Sequence, residues 1–122
     1  LGAGGLAILA GLPPYEREEV LSSVAGTIER HWRVPEESIR QSIKEVRTTG
    51  YAVIRNTVTP GVSAIGRSFK DSLHQVFGAL TVAGLSGRLT SRRMGSLRQH
   101  LDRAITSMES VLHSPTWTQY ST

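Results

Sequence analysis

GALTVAGLSGRLTS, residues 78–91, reads as a strand that runs into a turn and then into the start of a helix. Apolar residues follow one another almost without a break, yet Gly78, Ala79, Ala83 and Gly84 are small. Strands in packed sheets favour β-branched bulk, because Gly and Ala leave space and weaken the strand. Protein interiors are packed close to crystal density, so something else has to fill that space.

Alternation along the strand sorts its side chains into two rows. Val76, Gly78, Leu80 and Val82 form one, with the character of core beneath helices. Phe77, Ala79, Thr81 and Ala83 form the other, an aromatic followed by small side chains and one hydroxyl. Three fillers fit such space: a helix lying unusually close to the sheet, a bulky side chain from elsewhere, or a small molecule in a mostly apolar hollow with few polar groups.

The neighbouring segments extend the pattern. VSAIGRSFK (62–70) is a second strand, whose row Val62, Ala64, Gly66 shrinks along its length. DSLH (71–74) is a turn short enough to make the two strands antiparallel. YAVIRNTV (51–58) is a further strand, set off by the Pro60-Gly61 break.

Helical periods flank this sheet. From Thr90 or Ser91 as N-cap, Met94, Leu97, Leu101, Ile105, Met108 and Leu112 recur at three- and four-residue steps, with Arg92, Arg93, Arg98 and Arg103 opposite. That is an amphipathic helix lying across a sheet. LGAGGLAILAGL (1–12) is a buried helix stopped by Pro13-Pro14. YEREEVLSSVAGTIERHW (15–32) carries acids early and Arg30 and His31 late, as a helix dipole favours, with Gly26 weakening its last part. VPEESIRQSIKEVRTTGY (34–51) starts at Pro35, buries Ile39, Ile43 and Val46, and ends at Gly50 as a left-handed cap. HSPTWTQYST (113–122) is an irregular tail in which Trp117 and Tyr120 are available to dock on a neighbour. Helices, an antiparallel sheet and a long closing helix make an α+β domain.

Composition narrows the function. With 122 residues, 39% of them hydrophobic, the chain can bury one core. It has no cysteine, which removes disulfide and thiolate chemistry and fits a reducing cytoplasm. The 14 Lys and Arg against 10 Asp and Glu form no dense basic run of the kind that tracks nucleic acid. No apolar stretch reaches the length of a membrane span.

Catalytic and metal patterns do not emerge. His31, His74, His100 and His113 have no ligand spacing, so no metal is expected. There is no G-x-S-x-G elbow, and GAGG (2–5) lacks the Lys-Ser/Thr of a phosphate loop. Glu16, Glu18 and Glu19 are the solvated start of a helix, and Arg88, Arg92 and Arg93 a basic patch at the start of another. Neither an enzyme nor a cofactor is expected.

Four segments together resemble the C-terminal effector-binding domain of IclR-type (isocitrate lyase regulator) bacterial transcription factors. GLAILAGLP (5–13) is similar to the family's Gly-Lys/Arg-Ala-Leu-Leu-Ala-x-Leu-Pro helix, and IRQSIKEVRTTGYAV (39–53) to its Leu-x-x-Val-Arg-x-x-Gly-Tyr-Ala segment. PGVSAIG (60–66) resembles its Gly-Val-x-x-Ile-Ala strand, and GALTVAGLSGRLT (78–90) its strand, Ser-Gly turn and Arg-Leu-Thr. The resemblance implies a GAF-like fold: a curved antiparallel sheet with a pocket on one face and helices on the other. It implies a partial effector-binding domain over residues 1–113, a tail at 114–122, and a DNA-binding winged helix-turn-helix that these residues lack.

The family's pocket positions fall on Ile54, Ala64, Thr81 and Ala83, with a loop wall from residues 2–4 that takes in Ala3 and Gly4. Better-known members place a carboxylate, a thiol and two hydroxyls at the first four; here Thr81 alone keeps a hydroxyl. The resemblance therefore implies a cytoplasmic homodimer or homotetramer that senses a small organic or aromatic acid and reaches operator DNA only through its N-terminal domain. The alternative is a GAF-like assembly module without effector.

Overall fold

The computed structural model describes residues 1–56 and 58–116. Four helices and three strands follow in the order α1 (Ala3–Gly11), α2 (Pro14–Trp32), α3 (Glu36–Thr49), β1 (Ala52–Arg55), β2 (Val62–Lys70), β3 (Val76–Leu85) and α4 (Ser91–Leu112). The strands form one antiparallel sheet in the order β1-β2-β3. Helix α1 packs on one face of it, backed by α2 and α3, while α4 crosses the other.

Local chemistry sets the boundaries. Gly50 closes α3 in the left-handed region at φ 87°, and its N–H bonds the Val46 carbonyl at 2.7 Å. Thr90 caps α4 by accepting from the Arg93 N–H at 3.3 Å. Strand β1 stops at Arg55, three residues short of the alternation in the sequence, because the chain turns at Asn56 with φ 58°. The Asn56 Oδ1 then accepts from the Gly61 N–H at 3.0 Å and from the Ser86 hydroxyl at 2.6 Å. Buried Ser63 lies 2.8 Å from the same Ser86 oxygen, so the two turns at one end of the sheet are tied together.

Helix α1 is apolar throughout and packs against the sheet, α2 and α3. Ala3, Leu6, Ala7, Leu9 and Ala10 are buried between the sheet and α3. Its C-terminal carbonyls receive cations from other helices: Arg47 donates to Ala10 O and Arg17 to Leu12 O, each at 3.3 Å. Positive charge suits that end of a helix dipole. Burial, and next the nearby Arg47, lower the Arg17 pKa from its usual value. Helices α2 and α3 are joined by a two-pronged Arg40–Glu18 pair at 2.8 and 3.0 Å.

On the opposite face, Ile65 packs with Leu89, Met94 and Leu101, and Phe69 with Ile105 and Leu112. The rows of β3 differ from strict alternation at one point. Gly78 pairs with Phe69 and Val76 with Lys70, so Phe77 is the extra residue of a bulge. Val76 consequently faces α1 at Gly11, while Phe77 lies 6.1 Å from the Phe69 ring centre. These two residues exchange the rows that alternation assigns them. Pro115 and Thr116 have helical backbone where an irregular tail is expected, and Trp117 and Tyr120 lie outside the described residues.

Candidate functional site

The small residues have more than one filler. A Cβ on Gly78 would stand 2.9 Å from the Phe69 ring, and one on Gly84 3.7 Å from Leu89, so core side chains occupy those gaps. At Gly66 the filler is the backbone of α1: a Cβ there would lie 3.2 Å from the Ala3 carbonyl carbon and 3.1 Å from Thr81 Oγ1. A Cβ on Gly4 would come within 2.9 Å of that same hydroxyl oxygen. A closely approaching helix therefore accounts for the Gly66 and Thr81 end of the face.

The six candidate residues gather around the start of this helix. Cross-strand pairing sets Ile54 beside Ala64 and Ala64 beside Ala83, one row spanning all three strands. The next row on that face is Ala52, Gly66 and Thr81. Ala3 and Gly4 stand over it, in the first turn of α1 rather than in the loop that the sequence suggests. Ala3 is buried, Ile54, Ala64 and Gly4 are half-buried, and Thr81 and Ala83 are exposed. The face thus stays open beyond Ala3 and Gly4.

The chemistry of this corner is that of a helix end over a nearly apolar floor. The first intrahelical bond of α1 runs from Leu6 N to Gly2 O at 2.9 Å, and no side chain caps the start. The N–H groups of Ala3, Gly4 and Gly5 therefore have no partner within the helix. They form the positive dipole end of the helix, and the first turn that carries them sits beside the Thr81 hydroxyl. The Arg55 guanidinium bonds Leu89 O at 3.3 Å on the α4 side of the sheet. The basic patch at α4 is partly satisfied internally, since Arg93 bonds Arg88 O at 3.3 Å.

Two groupings escape the sequence pattern because their members are far apart in the chain. The Tyr51 hydroxyl lies 2.7 and 2.6 Å from the two Asp102 oxygens and donates its one proton to that carboxylate, Arg67 pairs with the same carboxylate, and Arg98 lies 4.9 Å above the Tyr51 ring centre. This cluster latches α4 to the sheet. His74, at φ 58° in the β2–β3 turn, meets His113 edge-on at 6.4 Å between ring centres. A 230 Å³ cleft also runs from Ile54 between α2 and α3.

Several solved proteins of this architecture are transcriptional regulators. The family model for the C-terminal part of bacterial transcriptional regulators of the IclR type matches residues 1–109. Among solved structures, an IclR-type transcriptional regulator from Silicibacter sp. TM1040 is 27% identical with a TM-score of 0.77. The IclR protein of Thermotoga maritima is 19% identical with a TM-score of 0.82. The alignments cover 93% of this chain and 46% of each of those two, so the chain spans less than half of their length. The C-terminal domain of the Escherichia coli regulator KdgR, 18% identical with a TM-score of 0.81, is covered to 70%, again by 93% of this chain. No curated protein matches the sequence at a significant level. The family is one of transcription regulators and not of enzymes, and no described helix is long and apolar enough to cross a membrane. The match over residues 1–109 places the chain in the IclR family of bacterial transcriptional regulators, as a C-terminal domain.

Proposed function

We propose that this domain senses a small organic or aromatic acid and assembles subunits of a DNA-binding regulator. The effector lies over β1–β3 against Ile54, Ala64, Thr81 and Ala83, with Ala3 and Gly4 as the wall above. One observation carries this reading: the uncapped start of α1 and the Thr81 hydroxyl converge beside an open, otherwise apolar floor. A buried carboxylate needs donors. Here the helix N–H groups and one hydroxyl supply them, while Ile54, Ala64 and Ala83 receive the uncharged body.

Signalling would follow from linkage. An effector that prefers one arrangement of α1 on the sheet shifts that arrangement, and with it the spacing of DNA-binding domains carried by paired subunits in a dimer or tetramer. Operator DNA is contacted by a separate N-terminal domain. The close seat of α1 on Gly66 favours a second reading, an assembly module in which the helix fills the hollow and no effector binds.

A thermal-shift screen of organic acids separates the two. A specific ligand at a hundredfold excess over its dissociation constant stabilises by about 2.7 kcal/mol. Ala83→Trp, at an exposed position, should remove that shift and leave the unliganded melting temperature nearly unchanged. No shift with any acid supports the assembly module.

A further inference from the structure

We infer that the cleft between α2, α3 and the outer edge of β1 takes the apolar end of the effector, which makes the effector an elongated amphipathic monocarboxylic acid. The inference rests on the sensing role proposed above and adds the shape and class of the ligand. The cleft has a volume of 230 Å³. Its walls come from Leu6 of α1, Ile28 and Trp32 of α2, Ile39 of α3 and Ile54 of β1. Ser38 and Ser42 provide hydroxyls on the α3 side, and none of the described side chains that line it is charged. A charged group pushed into it would lose its hydration without gaining an ionic partner. An uncharged ring or short chain loses nothing there, and pockets for whole drug-sized ligands begin at about 300 Å³, so this one suits a single ring.

Two features join the cleft to the candidate site. Ile54 belongs to both, lining the cleft and standing in the row with Ala64 and Ala83. Leu1, just before the uncapped start of α1, lines the cleft as well. Adjacent strands are about 4.8 Å apart, so the β3 positions Thr81 and Ala83 lie about 10 Å from β1 across the sheet. A molecule whose carboxylate meets Thr81 and the α1 N–H groups must therefore extend about 10 Å to reach the cleft. Acetate-sized acids are too short. A medium-chain fatty acid, or a phenyl ring on a spacer of about four methylenes, spans the distance, and half-exposed Trp32 forms part of the cleft wall.

Calorimetric titration with propionate and with 5-phenylpentanoate tests the idea on the wild type and on Ser42→Phe, which fills the cleft from α3. The expected result is that phenylpentanoate binds at least tenfold more tightly than propionate, and that Ser42→Phe abolishes this advantage without changing propionate affinity. A second readout covers the case in which Ser42→Phe folds poorly. In a Trp117→Phe background, the Trp32 fluorescence should change on adding phenylpentanoate and stay constant with propionate. Equal affinities for the two acids, an advantage that survives Ser42→Phe, or an indole signal indifferent to the ring would overturn the inference while leaving the sensing role standing. If neither acid nor any other binds, the sensing role itself fails.

Discussion

Gly66 of β2 lies directly beneath the Ala3 carbonyl of α1, so close that a Cβ would sit 3.2 Å from the carbonyl carbon and 3.3 Å from its oxygen. The neighbour in the way is helix backbone, which cannot rotate aside as a side chain can. Gly66→Val adds two further carbons in the same direction. Although Val has the better strand propensity, crowding of a packed interior costs about 2 kcal/mol and should prevail. Chemical denaturation checks this: the midpoint should fall for Gly66→Val. An unchanged midpoint would mean that α1 rides loosely on the sheet.

That contact also explains what was legible in the sequence. The 3.6-residue period of Met94, Leu101 and Ile105 and the alternation of Ser63, Ile65 and Phe69 locate α4 and β2, because each residue's burial follows from its own element. Gly50 and Thr90 mark ends by local geometry alone. What fills a hollow is a different kind of question. Small residues at Gly66 and Thr81 announce space, but the occupant, α1, comes from more than 60 residues away in the chain by the arithmetic of Gly66 minus Gly4. The Phe77 bulge was invisible for a related reason: it depends on the register with Phe69, not on the order of apolar residues. Of the site, Ile54, Ala64, Thr81 and Ala83 emerged from a family resemblance, whereas the cleft needed α2, α3 and β1 assembled.

Helical glycines with room around them should behave in the opposite way to Gly66. Gly95 is within α4, and a Cβ there meets nothing within 4 Å; at Gly26 of α2 the nearest group is the flexible end of Arg30 at 3.6 Å. Alanine restricts the unfolded chain and favours the helix by up to about 1 kcal/mol per site. Gly26→Ala and Gly95→Ala should each raise the melting temperature, and together roughly additively because they lie on separate helices. A drop at Gly95 would reveal a partner surface on α4.

Thr81 is the one hydroxyl among the candidate liners, and its side chain is exposed in the chain itself. Thr81→Val keeps the shape and removes the donor. Because a hydrogen bond to a charged group contributes about 1.5–3 kcal/mol, affinity for the acids found in the thermal-shift screen should fall tenfold or more. The unliganded stability should change little. Titration calorimetry on the variant measures both the affinity and its enthalpy; undiminished affinity would place the acid elsewhere.

The Tyr51–Asp102 latch should make stability depend on pH at both extremes. The hydrogen bond from Tyr51, reinforced by Arg67, holds the Asp102 carboxyl below the ordinary range. Burial, and next the Asp102 hydrogen bond and charge, push the Tyr51 phenol upward. For Asp102 the folded pKa is the lower one, so its contribution is complete above the unfolded value of about 4 and fades as the pH falls through the folded value. For Tyr51 the folded pKa is the higher one, so its contribution is complete below about pH 10 and fades as the pH rises through the folded value. The Arg67–Asp102 pair is 38% and 44% exposed, so solvent screens its charge attraction and the hydrogen bond is the better handle. Tyr51→Phe should therefore cost about 1 kcal/mol near neutrality. That cost should shrink toward zero at strongly acid and strongly alkaline pH, as read from urea denaturation of both proteins across the range. A cost that stays constant with pH would show that the ring acts by packing between Arg67 and Arg98 and that its hydroxyl contributes nothing.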